Sequence, residues 1–196
     1  MINRLVVLSS LMIAFALAIN WLLERSSQPE PDVSRNDPDL YMLNASISQY
    51  DSSGNLQHTV EAGRFTHFPL TDLTTMKSPS ISLDAENNAS SWVISSEDGR
   101  LLPASRYREE IVELWNNVLA ASTDPSGGFI NIQTQSLTVY PAREYLETDR
   151  KVYIDSESHR TTAAGMKAFL DSGKFMFHST PDERVRTLLL PQPGQQ

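Results

Sequence analysis

Apolar and polar residues alternate in short runs along the chain from about residue 40 onward, as in ISLDA, WVIS, INIQ and LTVY. Successive side chains of a strand point to opposite faces of a sheet, so this alternation predicts strands with one buried face. The segments that we interpret as strands are MLNASISQY, LQHTVEAGRFTHF, LTTMKSPSISLDAE, WVISSEDGRLL, YREEIVELWNNVLAA, FINIQTQSLTV, KVYIDS and TTAAGMKAFLDSGKFMFH.

Polar turn sequences such as DSSGN, PLTD, NNASS and DPSGG separate most of these segments. Turns this short favour antiparallel pairing, because parallel strands need long crossover connections. The nearest candidate for a helix, YREEIVELWNNVLA, also fits a strand followed by a turn. The predicted fold class is therefore all-β with antiparallel strands.

The same alternation predicts which side chains share an inner face. The assignment of Ala45 and Met76 depends most on the strand register, because a slip of one residue turns every side chain to the opposite face. An apolar face of this kind must pack against another one or bind an apolar ligand. The residues predicted to face inward are Ala45, Ile47, Met76, Ile81, Leu83, Trp92, Ile94, Val112, Leu114, Ile130, Ile132, Leu137, Val139, Val152, Ile154 and Met166.

The N-terminus differs from the rest of the chain. Residues 5–23 carry no charge, and as a helix they would reach roughly 28 Å, close to the thickness of a bilayer core. The triplet Ala16-Leu17-Ala18 suits signal-peptide cleavage, but the apolar run continues beyond it, which favours a retained transmembrane helix. Residues 1–4 would be cytoplasmic, because Arg4 and the amino terminus precede the span. The proline-rich and acidic residues 24–39 would form an extended linker.

Composition excludes several classes of function. The formal charge of −8 and the pI near 4.9 argue against a nucleic-acid partner. The absence of cysteine excludes disulfides, thiolate metal sites, a cysteine nucleophile and a lipid-modified cysteine.

Motifs that would indicate chemistry are also missing. The histidines are scattered without metal-ligand spacing, and no nucleophile elbow, dinucleotide-binding loop or phosphate loop occurs. Glu109, Glu110 and Asp98 could supply paired carboxylates, but adjacent acids on a strand point to opposite faces, so a solvated rim is the simpler interpretation. We therefore predict no catalytic residues, no metal and no cofactor. Three segments, VEAGRFTHFP, ISSEDGRLLP and AAGMKAFLDSGKFMF, show a faint repeat of Gly followed by an apolar strand.

The order of several short motifs resembles the LptC family, the inner-membrane component of the lipopolysaccharide export machinery. These motifs are DPDLY at the domain start, YDSSG at the first hairpin, PSISL before WVI, then VELWNN, LTVYP, ETDRKV and GM. The resemblance covers nearly the whole chain. It departs from the family at Asn116, where a glycine is often found.

This resemblance implies an open antiparallel β-jellyroll of the LptA type over residues 40–190, with a flexible tail at 191–196. The inner face would then be an apolar, lipid-binding groove for lipopolysaccharide in a transport bridge that serves outer-membrane biogenesis. The protein would be a single-pass protein of the inner membrane with its bulk in the periplasm. The alternative from the residues alone is a membrane-tethered structural or interaction domain that transfers no lipid.

The resemblance also implies partners at the ends of the sheet. The transporter complex of LptB, LptF and LptG would bind through the N-terminal edge near Tyr41 and the transmembrane helix. LptA would bind the C-terminal edge by strand addition. The apolar residues of that tail are Val185, Leu188, Leu189 and Leu190, although a terminal segment can also lack fixed structure.

Overall fold

A computed structural model describes residues 15, 17, 19, 21, 36–51, 53–83, 91–124 and 127–191 of the chain. The chain divides into two compact units, Met1–Asn36 and Asp37–Gln196. In the first unit, residues 15, 17, 19 and 21 are helical and exposed, and Asn36 is exposed without regular secondary structure. The predicted span at 5–23 and the linker at 24–39 lie mostly outside the described residues. Among those that are described, no helix is both long and apolar enough to cross a membrane.

The second unit is built from antiparallel strands, and its one described helix is a 3-10 turn at Pro141–Arg143. The first strands are β1 (Leu40–Tyr50), β2 (Leu56–Phe68), β3 (Leu73–Lys77), β4 (Ser80–Leu83), β5 (Ser91–Ser95), β6 (Asp98–Leu102) and β7 (Ile111–Thr123). They are followed by β8 (Phe129–Tyr140), β9 (Tyr145–Thr148), β10 (Val152–Ser156), β11 (His159–Ala163), β12 (Gly165–Phe169), β13 (Lys174–His178) and β14 (Arg186–Leu189). This confirms the all-β, antiparallel prediction.

The strands form one continuous 14-stranded sheet that is doubled over into two layers. The long strands β1, β2, β7 and β8 run through both layers, whereas the short strands belong to one layer each. We call the layer with β4, β5, β10, β11 and β14 sheet A. The layer with β3, β6, β9, β12 and β13 is sheet B.

Asparagines with positive φ lie where two of the long strands, β1 and β7, pass from one layer to the other. In β7, Asn116 and Asn117 together lie opposite Gln135 of β8, which is a β-bulge. Both asparagines have positive φ, as does Asn44 within β1. Asparagine tolerates this left-handed conformation better than most residues other than glycine. Asn116 can therefore adopt the left-handed conformation that a glycine would also adopt at this position.

The faint glycine repeat also arises from the bend between the two layers. Gly63, Gly99 and Gly165 all lie where a strand enters sheet B next to the bend. A methyl group on Gly99 would lie 2.9 Å from Leu114 Cδ2, and one on Gly165 would overlap the His178 ring. At these two positions, the repeat therefore reflects close packing at the bend.

Some predicted strands are divided or displaced. LTTMKSPSISLDAE and WVISSEDGRLL each break into two strands, and the last predicted segment breaks into β11, β12 and β13. The breaks before β4, β6 and β12 separate strands of different layers, whereas the break between β12 and β13 is a hairpin turn within sheet B. The segment YREE is not a strand, and the polar connection before KVYI contains β9. The C-terminal tail, for which lack of structure was one alternative, contains β14.

Candidate functional site: an apolar interior between two sheets

The residues predicted to face inward do lie between the two sheets. Ala45, Ile47 and Ile130 are partly buried and pack against the core. The others are fully buried members of the hydrophobic core, and they are Met76, Ile81, Leu83, Trp92, Ile94, Val112, Leu114, Ile132, Leu137, Val139, Val152, Ile154 and Met166. The register of the inner face is therefore as predicted, while contact of these residues with lipid stays a prediction.

Sequence reasoning missed several inner residues, although the signal was present. His58, Val60 and Ala62 alternate in β2, and Phe65 continues the inner face after a bend at Gly63. That bend shifts the period by one residue, so simple alternation fails across it. Further core residues without a prediction are Leu101, Val118, Ala120, Leu146, Ala163 and Ala168, with Leu170, Phe175 and Phe177 packed against them.

A surface cavity adjoins the interior between the two sheets. A cavity of about 450 Å³ lies between the outer ends of the two sheets, with Trp92 and Ile130 on sheet A and Leu170 and Phe175 beside sheet B. The Trp92 and Phe175 rings approach to 6.4 Å between centroids. Acidic and hydroxyl side chains, including Asp171 and Ser158, lie at its edge. The cavity thus has apolar walls and a polar mouth, an arrangement that suits an amphiphile.

A polar contact crosses between the sheets elsewhere. His58 belongs to sheet A, where it pairs with Leu83. Glu110 directly precedes Ile111, which pairs with Leu102 in sheet B. The His58 Nε2 atom lies 2.8 Å from Glu110 Oε1, at an ion-pair distance but without the alignment of a hydrogen bond. Among the described residues, the ionisable members of the buried set are His58 and Tyr145.

Glu109 and Glu110 occupy the end of a connecting segment, residues 103–110, which we call the flap. Glu109 Oε2 points to Arg143 Nε at 3.4 Å, away from the interior, while Glu110 points inward to His58. The two acids do point to opposite sides, but they precede β7 and do not lie on a strand as predicted, and Glu110 is not on a solvated rim. Asp98 does not join them, because it binds Lys77 and accepts a hydrogen bond from Asn116 Nδ2 at 3.0 Å.

The two ends of the doubled sheet differ in how they are held. At the N-terminal end, β1 pairs along its length with β2, and Leu43 and Tyr41 are exposed. At the C-terminal end, sheet B finishes at β13, whose Phe175 and Phe177 pack against the core. Sheet A finishes at β14, which pairs with β11. The four predicted edge residues lie on or beside β14, where Val185, Leu188 and Leu189 are exposed and Leu190 is half-buried.

The charged groups of this unit that have shifted pKa values lie outside the interior. His67 Nδ1 lies 2.6 Å from Asp39 Oδ1, and this hydrogen bond raises the pKa of His67. The hydrogen bond from Lys77 lowers the pKa of Asp98. Within the described chain, no cluster of three or more His, Asp or Glu residues could hold a metal ion.

Comparison with known families identifies the chain. A family model described as lipopolysaccharide-assembly, LptC-related, matches residues 9–184. The chain belongs to this family. As a member of the LptC family, it has a role in the lipopolysaccharide transport bridge.

Solved structures agree with the fold. One similar chain is LptH from Pseudomonas aeruginosa, described as the LptA-homologous periplasmic component of the conserved lipopolysaccharide transport device. The TM-score is 0.52 at 8% sequence identity, and the match covers 76% of this LptC-family chain and 96% of LptH. An identity this low shows the fold alone, which is the LptA-like one. A search of curated proteins gives no match.

Proposed function

We propose that this domain is a non-enzymatic segment of the transport bridge that holds the acyl chains of lipopolysaccharide between sheets A and B. The observation that carries this proposal is the cavity between Trp92 and Phe175, whose apolar walls continue into the core. A lipid that enters this cavity can extend a core that protein side chains already form. Holding and passing a lipid requires no catalytic residue.

The energetics suit transfer as well as binding. Each acyl methylene removed from water contributes about 0.8 kcal/mol. A partly inserted chain therefore gains several kcal/mol without any specific polar contact. Since each methylene contributes little, a lipid can move along the interior in small steps.

The proposal gives the two ends of the sheet different partners. The transporter of LptB, LptF and LptG would deliver lipid at the β1 end, and LptA would receive it at the β14 end. β14 supports this assignment, because its pairing to β11 leaves exposed leucines on a terminal strand. Residues 5–23 would anchor the chain in the inner membrane, with residues 40–190 in the periplasm and the tail at 191–196 free.

Site-specific photo-crosslinking tests the groove. Ile130 lines the cavity, while its neighbour Asn131 points to the outside of sheet A. We expect a photoreactive residue at Ile130 to capture lipopolysaccharide during transport and the same residue at Asn131 to capture none. Capture at Asn131 but not at Ile130 would show that lipid travels on the outer face.

Truncation tests the C-terminal edge. We expect deletion of residues 185–196, or Leu188→Pro, to abolish LptA binding and to leave association with the transporter unchanged. Proline removes a backbone donor and restricts the strand, whereas Leu188→Ala shortens only the side chain and serves as the matched control. An unchanged LptA pull-down by the truncated protein would exclude this edge.

One observation favours a purely structural role. Most of the predicted groove residues are fully buried against other protein side chains. A domain that only supports other proteins would have the same closed core. Co-purification of lipid A with the wild-type protein, and its loss when Trp92 or Phe175 is replaced by a charged residue, would favour lipid binding over this alternative.

A further inference from the structure

The flap is fastened on both of its sides. Glu110 reaches inward to His58 on sheet A, and Glu109 reaches outward to Arg143 after β8. Between its ends the flap forms its own turn, in which Ser105 N donates to Arg108 O at 2.7 Å. Its tip residue, Tyr107, is 95% exposed. The flap thus forms its own small turn. Two adjacent acids, Glu110 and Glu109, make its inward and outward contacts to other elements.

The inward contact is poorly satisfied for a buried one. Among the described residues, His58 Nδ1 is buried without a hydrogen-bond partner, and Glu110 Oε1 has only its ion-pair contact with His58 Nε2. A buried polar atom without a partner is unfavourable, and water satisfies it when the site opens. The unpaired His58 Nδ1 therefore makes the closed arrangement less favourable than a fully satisfied contact would be.

The positions next to His58 carry the apolar residues that hold the interior closed elsewhere. On sheet A, the inner residues paired next to His58 are Leu83 and then Trp92, both buried in the core. Replacing a buried ion pair by apolar residues of similar volume is often neutral or stabilising. An apolar pair at positions 58 and 110 would therefore close the sheets more firmly than His58 and Glu110 do.

We propose that the flap is a latch, in which the His58–Glu110 contact opens to admit an acyl chain to the interior beneath His58 and Leu83. The proposal rests on the proposed function, because it needs an acyl chain to enter the interior. The closed latch would divide that interior into two parts. The cavity beside Ile130 is open in the structure, whereas Leu83 is buried and would become accessible to lipid when the latch opens.

The test uses the full chain in detergent with purified lipopolysaccharide and a photoreactive residue at Leu83 or Ile130. Because the chain has no cysteine, His58→Cys with Glu110→Cys can be joined selectively by a bismaleimide. The matched control is Ser82→Cys with Val93→Cys, a register pair on the outer face of sheet A that does not bridge the two sheets. A second variant, His58→Leu with Glu110→Leu, closes the latch without a crosslinker.

We expect the bismaleimide to lower lipid capture at Leu83 at least tenfold in the 58/110 variant and to leave capture at Ile130 unchanged. Neither position should respond in the control. The leucine pair should lower capture at Leu83 without lowering the midpoint of thermal unfolding.

Two results would overturn the latch while leaving the proposed function intact. In both results, the photoreactive residue at Ile130 captures lipid. In the first, the photoreactive residue at Leu83 captures as much lipid with the latch crosslinked as without the crosslink. In the second, the residue at Leu83 never captures lipid. Absence of capture at Ile130 in every protein would instead refute the proposed function, and the latch with it.

Discussion

Gly165 offers a sharp test of the bend between the two sheets, because its surroundings leave no room for a side chain. A methyl group there would lie 2.7 Å from Thr148 O on the neighbouring strand β9 and would overlap the His178 ring. The His178 side chain is exposed and can move aside, but the Thr148 carbonyl belongs to the backbone of the sheet. We therefore expect Gly165→Ala to destabilise the fold through a backbone shift.

Overpacking of this kind costs about 1–3 kcal/mol. For a domain of this size, each kcal/mol lowers the midpoint of thermal unfolding by about 2–4 °C, so a loss of roughly 4–8 °C is expected at about 2 kcal/mol. Gly63→Ala is the matched control, because a methyl group there meets only Lys77 O at 3.5 Å. That change should be neutral or stabilising by up to about 1 kcal/mol.

Thermal unfolding followed by circular dichroism measures both variants in detergent. Adding His178→Ala to Gly165→Ala separates the two contacts, since the double variant should remain destabilised if the backbone contact dominates. A midpoint for Gly165→Ala equal to that of Gly63→Ala would show that the bend accepts a side chain and that our reasoning on it is wrong.

Other residues give further tests. Asn116 has φ of 64°, so Asn116→Gly should stay within about 0.5 kcal/mol of wild-type stability, whereas Asn116→Val should lose about 1–2 kcal/mol in urea unfolding. The hydrogen bond to Asp39 raises the pKa of His67. Its contribution to the stability of the fold is therefore present at pH values below the pKa of His67 in the unfolded chain, and it is lost as the pH rises through the pKa of His67 in the folded protein. Asp39→Asn should therefore lower the unfolding midpoint at about pH 5.5 and leave it unchanged at about pH 9. Burial, followed by the hydrogen bond to Glu147, raises the pKa of Tyr145 to about 12. Tyr145→Phe should accordingly leave the tyrosinate absorbance at about pH 11 unchanged.

The sequence by itself determined the fold class and the inner face. Alternation is a local property, because each side chain faces away from its neighbours along a strand whatever the strand pairs with. For this reason, residues such as Ile81 and Ile132 could be placed inward before any pairing was known. The order of short motifs likewise pointed to the LptC family before the fold was available.

The tertiary structure decided where the strands break and what meets across the interior. The breaks after Lys77 and Ser95 arise because one extended segment has to serve two layers, and no local pattern encodes that requirement. His58 and Glu110 are far apart in the chain, and their contact exists only because the sheet doubles over. Alternation within a strand gives no information on its distance from a strand that is remote in the chain. It therefore cannot predict a titratable pair at a contact between the two sheets.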